Sequence, residues 1–374
     1  MNVHPQTILA VFGTRPEAIK LAPLIRELGS NPGRFRVCVC VTAQHRSLLD
    51  QVLATFHIEP HHDLGVMEDG QEPLEVIQRC LERLRPVLER ERPDWVLVQG
   101  DTSTTLAASM AAAYGGVRLA HVEAGLRTGN NSHPFPEEIS RRLVSQMADL
   151  HFAPTLRAKE NLLREGMEEN NIYVTGNTGV DALFYARQQP QRLSPLPALQ
   201  RLNPERPLLL VTSHRRESIG DGFQRICLAL REIALRGDVD VIFPVHLNPS
   251  VRLPVLGSLR DLPNVFLVEP LNYVDFVALM EHAHLILTDS GGIQEEAPSL
   301  GKPVLVLREV TERPEAVEAG LAKLVGTDPA RIVAETTRLL EDPPEYARRS
   351  RTVNLFGDGQ ASARIARILV SQTD

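Results

Sequence analysis

A chain of 374 residues is longer than one hydrophobic core usually supports, so two domains are expected. Its 43% hydrophobic and 23% charged residues are those of an ordinary globular protein, with neither a leading targeting segment nor an apolar run of membrane-spanning length, so a cytoplasmic location with no membrane partner is expected. The net charge of −7, from 40 basic and 47 acidic residues mixed along the chain, excludes a broad nucleic-acid surface and leaves only a local basic pocket for a small anion.

Ile8–Phe12 is a short apolar strand, followed by Gly13-Thr14-Arg15-Pro16-Glu17 and a helical period through Leu21, Leu24, Ile25 and Leu28. A second strand, Arg36–Val41, ends at Thr42-Ala43-Gln44-His45 ahead of a helix carried by Leu48, Leu49, Val52 and Leu53. Cys38 and Cys40 share one face of that strand; with Cys80 and Cys227 they form no CxxC pair and read as reduced core residues. His61-His62-Asp63 lacks the further ligand spacing of a metal site. Trp95–Gln99 ends at Gly100-Asp101-Thr102-Ser103 before an Ala-rich helix over Leu106–Ala113, and Val117–Val122 runs into Glu123-Ala124-Gly125. Strands alternating with helices imply a parallel sheet covered on both faces.

Ile172–Thr175, Leu208–Ser213, Val239–Val245, Val265–Val268, Leu285–Leu287 and Pro303–Leu307 are the strand candidates of a second such sheet. The fold class is therefore α/β, with two doubly wound, Rossmann-like domains. The hinge is placed near Asn170, giving domains of residues 1–170 and 171–358, with the Pro-rich segment Pro190–Pro207 as a loop inside the second. The last helix, Ala361–Val370, crosses back so that residues 359–374 complete the first domain.

The stretch Leu285–Gly301, LILTDSGGIQEEAPSLG, reads as strand, turn and helix. Glycines at the turn let a ligand approach the main chain, and the first-turn N–H groups of the helix suit a phosphate. Glu295 and Glu296 are placed in that first turn, facing sugar hydroxyls. Gly291-Gly292 is equally what a plain βα turn requires.

Arg15, Gln44, Asp101, Glu123, His214, His246 and Ser290 all follow the carboxyl ends of predicted strands. In open parallel sheets ligands bind in the crevice there, and two facing crevices make an interdomain cleft. Each residue has a plainer reading as well. Asp101 precedes Thr102-Ser103 as a helix N-cap would, Glu137 and Glu138 after Pro136 match ordinary helix-start chemistry, and His214 serves equally as a strand-end contact to main chain.

Taken together, FGTRPEAIK (Phe12–Lys20), TAQHR (Thr42–Arg46), QGDT (Gln99–Thr102), HVEAGLRTG (His121–Gly129), PEE (Pro136–Glu138), SHRRE (Ser213–Glu217), PVHLNP (Pro244–Pro249), LTDSGGIQEEAPSLGKPVL (Leu287–Leu305) and TERPEA (Thr311–Ala316) resemble the non-hydrolysing UDP-N-acetylglucosamine 2-epimerases. The resemblance implies the glycosyltransferase-B type of fold with the ligand in the interdomain cleft, and reversible conversion of UDP-GlcNAc to UDP-ManNAc. In that chemistry a base takes the C2 proton, UDP leaves C1 to give 2-acetamidoglucal, and UDP adds back after protonation on the other face. Carboxylates near C2 and cations on the phosphate are needed at once.

By motif position Asp101, Glu123 and Glu137 match the catalytic acids, and His214 the histidine beside the diphosphate. Clustered carboxylates are expected to raise one another's pKa, holding one protonated while another acts as base. Arg15 and Lys20 are expected near the phosphates or sugar; Ser290, Gly291 and Gly292 as N–H donors to the diphosphate; Glu296 on the ribose; Arg313 on the phosphate side; and Phe276 with the backbone of Leu271 at uracil, where members usually carry glutamine in place of Leu271. Some bacterial members bind a second UDP-GlcNAc as activator at the positions of Gln44, Ser47, Gly70, Glu137, Arg215 and His246; His45 lies in the same TAQHR motif. Ser47 and Gly70 replace a glutamine and an arginine, so activation here is expected to be weak or absent, and reversal from UDP-ManNAc alone tests it.

The resemblance implies a homodimer serving polysaccharide synthesis. Proton transfer and elimination call for no metal, nicotinamide or flavin. Rival readings are an epimerase of another UDP-sugar such as a UDP-2,3-diacetamido uronic acid, a hydrolysing epimerase, a glycosyltransferase of the same fold, and a nucleotide-sugar sensor. The last two have no need of three grouped acids.

Overall fold

The computed structural model describes residues 4–42, 46–68, 71–190, 199–213 and 220–372, with the backbone alone at Arg46, Ser47 and Leu199. The chain divides into a first unit of residues 1–185 with 356–374 and a second of 186–355. The first alternates β1 (Gln6–Phe12), α1 (Arg15–Gly29), β2 (Phe35–Val41), α2 (Arg46–Phe56), β3 (His62–Asp63), α3 (Pro73–Glu91), β4 (Trp95–Gln99), α4 (Ser103–Tyr114), β5 (Arg118–Val122), α5 (Glu137–Met147), β6 (Leu150–Ala153), α6 (Leu156–Arg164), β7 (Ile172–Val174) and α7 (Thr178–Gln188). All pairings are parallel, in the order β3-β2-β1-β4-β5-β6-β7.

Central strands such as Ile8–Phe12 and Trp95–Gln99 are apolar at nearly every position because helices cover both faces of the sheet. Trp95, Leu97, Leu9 and Val11 are almost wholly buried, each such side chain contributing about 1.5–3 kcal/mol. Thr14 and Glu17 form a capping box with Pro16 in the first turn, which fixes where α1 begins and so where β1 ends.

The second unit comprises β8 (Leu208–Thr212), α8 (Asp221–Leu235), β9 (Asp240–Pro244), α9 (Pro249–Leu259), β10 (Val265–Val268), α10 (Tyr273–His282), β11 (Leu285–Thr288), α11 (Gly291–Glu296), β12 (Val304–Val306), α12 (Pro314–Glu318), β13 (Ala322–Leu324), α13 (Pro329–Glu341) and α14 (Pro343–Arg349). Its sheet is also parallel, in the order β10-β9-β8-β11-β12-β13. The last helix, α15 (Ala361–Ser371), packs on α1 of the first unit.

One expected border is corrected. Ile172–Val174 pairs with β6 and closes the first sheet, so the chain leaves that unit after Tyr185 and not near Asn170. With only three residues this strand carries no period to tie it to the first sheet, so it read as the opening of a new one. The strands β3, β6 and β13 were not anticipated, being two to four residues long. The four cysteines are buried and free. No described helix is long and apolar enough to cross a membrane.

Candidate active site

In each sheet the strand order reverses once, between β1 and β4 in the first and between β8 and β11 in the second. Crevices open at such switch points beyond the carboxyl ends of the strands.

At the first switch point the turns after β1 and β4 are tied by Glu17. Its Oε2 accepts from the Gly13 and Thr14 amides at 3.1 and 2.7 Å, and its Oε1 accepts from the Thr102 hydroxyl at 2.7 Å. Burial pushes the Glu17 carboxyl up against these donated bonds. Thr102, not Asp101, caps α4, accepting from the Thr105 amide at 3.1 Å. Asp101 is therefore released from capping, and its Oδ2 accepts from Arg141 Nε at 2.7 Å.

Arg141, on α5, also donates to Glu138 Oε2 at 2.9 Å. Glu138 is fully buried and accepts from the Thr128 and Gly129 amides, so it fixes the loop before α5. Glu137 beside it is different: its Oε2 is buried with no hydrogen-bond partner among the described residues. Glu123, one residue beyond β5, holds a left-handed φ of 67° and pairs with Lys20 Nζ. Asn177 Nδ2 donates to the same Glu123 oxygen at 2.8 Å. Behind these acids, His121 Nε2–H donates to the Gly100 carbonyl at 2.8 Å, and burial pushes the imidazole down to about 4.

The structure thus gathers Asp101, Glu123 and Glu137 at the carboxyl ends of β4 and β5 and the start of α5. Asp101 pairs with Arg141 and Glu123 with Lys20. Arg15 lies at the start of α1, half-buried. Glu17, Asn177 and Arg141 were missed by sequence reasoning, and Glu138 was read only as helix-start chemistry. Only the E of GTRPE, three residues after a capping threonine, signalled the first of them.

At the second switch point Thr212 and Thr288 hydroxyls meet at 2.6 Å, and Ser213 Oγ donates to Asp289 Oδ2 at 2.9 Å. The Ser290 amide is taken by Thr288 Oγ1 at 2.9 Å, so the N–H donors of the turn are those of Gly291 and Gly292. A Cβ on Gly291 would come within 2.5 Å of the Arg313 guanidinium, whereas one on Gly292 would meet only Ser290 Oγ at 3.9 Å. One glycine admits Arg313 from behind; the other leaves the main chain open in front.

Arg313 donates to Glu295 Oε1 at 2.7 Å and pairs with Glu312. Glu296 accepts from the Tyr273 hydroxyl at 3.1 Å. Both glutamates lie at the far end of the six-residue α11, which corrects their expected place in its first turn; the helix begins at Gly291, two residues earlier than the apolar period suggested. Leu271 is buried just before α10, and Phe276 is half-buried on it. His246 is half-buried, its Nδ1 accepting from the Asn248 amide at 3.1 Å. Gln44, His45, Gly70, His214 and Arg215 lie outside the described residues, as does the side chain of Ser47.

Among known proteins, the profile of the UDP-N-acetylglucosamine 2-epimerase family matches residues 26–370. The chain is 54% identical to the UDP-N-acetylglucosamine 2-epimerase of Escherichia coli K12 over 368 residues, covering 97% of this chain and 98% of that one. The crystal structure of UDP-GlcNAc 2-epimerase from Neisseria meningitidis bound to UDP-GlcNAc superposes with a TM-score of 0.95 at 46% identity, covering 98% of this chain and all of that one. The glycotransferase of kitacinnamycin, at 17% identity and a TM-score of 0.66 over 99% of this chain and 100% of that one, shares the fold alone.

Proposed function

The chain belongs to the UDP-N-acetylglucosamine 2-epimerase family, and we propose that it interconverts UDP-GlcNAc and UDP-ManNAc by eliminating UDP to 2-acetamidoglucal and adding it back, without releasing free sugar. The observation that carries this reading is the group of acids at the first switch point, with one Glu137 oxygen buried and unspent. Removing a weakly acidic C2 hydrogen needs a carboxylate held close and poorly solvated, and returning it on the other face needs a second.

Asp101, Glu123 and Glu137 share proton removal and return. Lys20, paired with Glu123, acts on the sugar side and stabilises that carboxylate while C2 is ionised. Departure of UDP is an electrostatic problem, and fixed N–H donors solve it without reorganisation. The Gly291 and Gly292 amides with the Ser290 hydroxyl hold the diphosphate, and Arg313, held behind Gly291 by Glu295 and Glu312, stands on the phosphate side of that turn. Arg15 and His214 act on the phosphates, Glu296 on the ribose, and Phe276 with the Leu271 main chain on uracil. Gln44, His45, Arg215 and His246 belong to the neighbouring sugar-nucleotide contacts, where Ser47 and Gly70 leave activation by a second substrate weak. Family likeness also supports a homodimer.

Incubation with UDP-GlcNAc in D2O, followed by NMR, tests the reading. UDP-ManNAc signals with deuterium at C2 and no free N-acetylmannosamine are expected. Free sugar accumulating with UDP identifies a hydrolysing enzyme, and an inert C2 identifies a different substrate.

A further inference from the structure

Three different donor types meet on the first sheet well away from its switch point. Cys38 Sγ, a His62 ring nitrogen and a Glu91 carboxylate oxygen lie within 4.8 Å of one another. Topology brings them together. In the β2–β3 ladder Cys40 pairs with His62, so His62 projects from the same face as Cys40 and, two residues earlier, Cys38. The helix α3 covers that face, its Val76, Cys80, Leu84 and Val87 packing with Cys38 and Cys40, and it ends at Glu91. Because α3 leads into the start of β4, Glu91 sits toward the amino-terminal ends of the strands, opposite the end that carries Asp101 and Glu123.

We propose that Cys38, His62 and Glu91 bind one zinc-class divalent ion, leaving a fourth coordination position to water. Thiolate, imidazole and carboxylate together are a donor set that zinc accepts. Bonds of about 2.0–2.3 Å in a tetrahedron place donors roughly 3.3–3.7 Å apart. His62 Nε2 and Glu91 Oε1, now 2.9 Å apart, open by a few tenths of an ångström and Cys38 Sγ draws inward as the ion takes the place of the proton between them, which passes through solvent to His62 Nδ1. The thiol proton of Cys38 leaves to solvent on binding. A thiolate and an imidazole among the donors favour ions of high thiolate affinity over hard ions such as magnesium.

One further feature favours a cation here, and another fixes the carboxylate. The carboxyl end of α3 presents the negative end of the helix dipole. Arg36 donates to Glu91 Oε2 at 2.9 Å and to the Glu91 carbonyl at 3.0 Å, which orients the carboxylate while Oε1 faces His62. The flanking residues are turned to other tasks: His61 Nδ1 accepts from the Val39 amide at 3.1 Å, and Asp63 accepts from the Gly65 amide at 3.0 Å.

Titrating the chelator-treated full chain with Co2+, then displacing it with Zn2+, tests this independently of any epimerase activity. One equivalent of Co2+ giving a thiolate-to-cobalt charge-transfer band that Zn2+ abolishes is expected. Cys38→Ser should lose the band, and His62→Gln should weaken binding at least about tenfold. His61→Gln should change neither, with circular dichroism checking that each variant is folded. No band in the parent chain, a band that survives in Cys38→Ser, or unchanged affinity in His62→Gln would overturn the proposal.

Discussion

At Glu123 the backbone turns left-handed, a conformation that costs a non-glycine residue about 1–3 kcal/mol and persists only where its surroundings enforce it. Lys20 and Asn177 supply that enforcement by holding the carboxylate. Asp101 is held by Arg141 in the same corner of the sheet. Replacing Asp101 with Asn keeps the shape and removes the proton acceptor, so kcat should fall by about 10²–10⁴-fold while UDP affinity, measured calorimetrically, stays within about twofold. A matched loss of UDP binding would show that Asp101 acts on structure alone. His121 and His151, paired across β5 and β6, are both pushed down to about 4 by burial. Since the unfolded chain takes up these protons below about 6.5 and the folded chain does not, stability rises with pH between about 4 and 6.5 and falls on acidification through that window. Urea midpoints should therefore drop from pH 7 to pH 5, and drop less in a His121→Gln/His151→Gln variant; equal slopes would remove these histidines as the cause. The motifs QGDT and HVEAG made Asp101 and Glu123 legible, but local pattern offered Asp101 as the cap of α4, and only packing chose Thr102. Lys20 to Glu123 and Asn177 to Glu123 span long separations that local patterns do not encode.

The turn from β11 into α11 separates two uses of glycine. Gly291 has no room for a side chain, whereas Gly292 is open, and alanine there should favour the helix by up to about 1 kcal/mol. Gly292→Ala is thus expected to leave the melting temperature unchanged or raised, while UDP binding weakens at least about tenfold because the methyl group stands between the main-chain amides and the diphosphate. Unaltered UDP affinity would mean that this turn does not hold phosphate. The alternation of long strands and helices was legible because central parallel strands are apolar at nearly every position. The two-residue β3 and three-residue β13 carry too few side chains to show a period, and β7 was misplaced for the same reason.

Across the whole chain, the first unit is made from two separated stretches. Asp181 on α7 accepts from the Ala361 and Ser362 amides at 3.1 and 2.7 Å, and the Asn177 amide donates to the Phe356 carbonyl at 2.6 Å. Phe356, Ile365 and Leu369 are fully buried, and Asn177 in turn reaches Glu123. Ending the chain at Leu355 should therefore expose the first unit's core, cost several kcal/mol at about 1.5–3 per large side chain, and abolish turnover. A truncated protein with parental urea midpoint and activity would contradict this. In the proposed reaction UDP leaves C1 while acids of the first unit handle the C2 proton. Its most direct test uses UDP-GlcNAc carrying 18O in the bridge between C1 and the β-phosphorus, with 31P NMR following the isotope during turnover. Scrambling of the label into the non-bridging β-phosphate oxygens as the epimers equilibrate is expected; full retention of the label in the bridge of both epimers would rule out cleavage of the C1–oxygen bond.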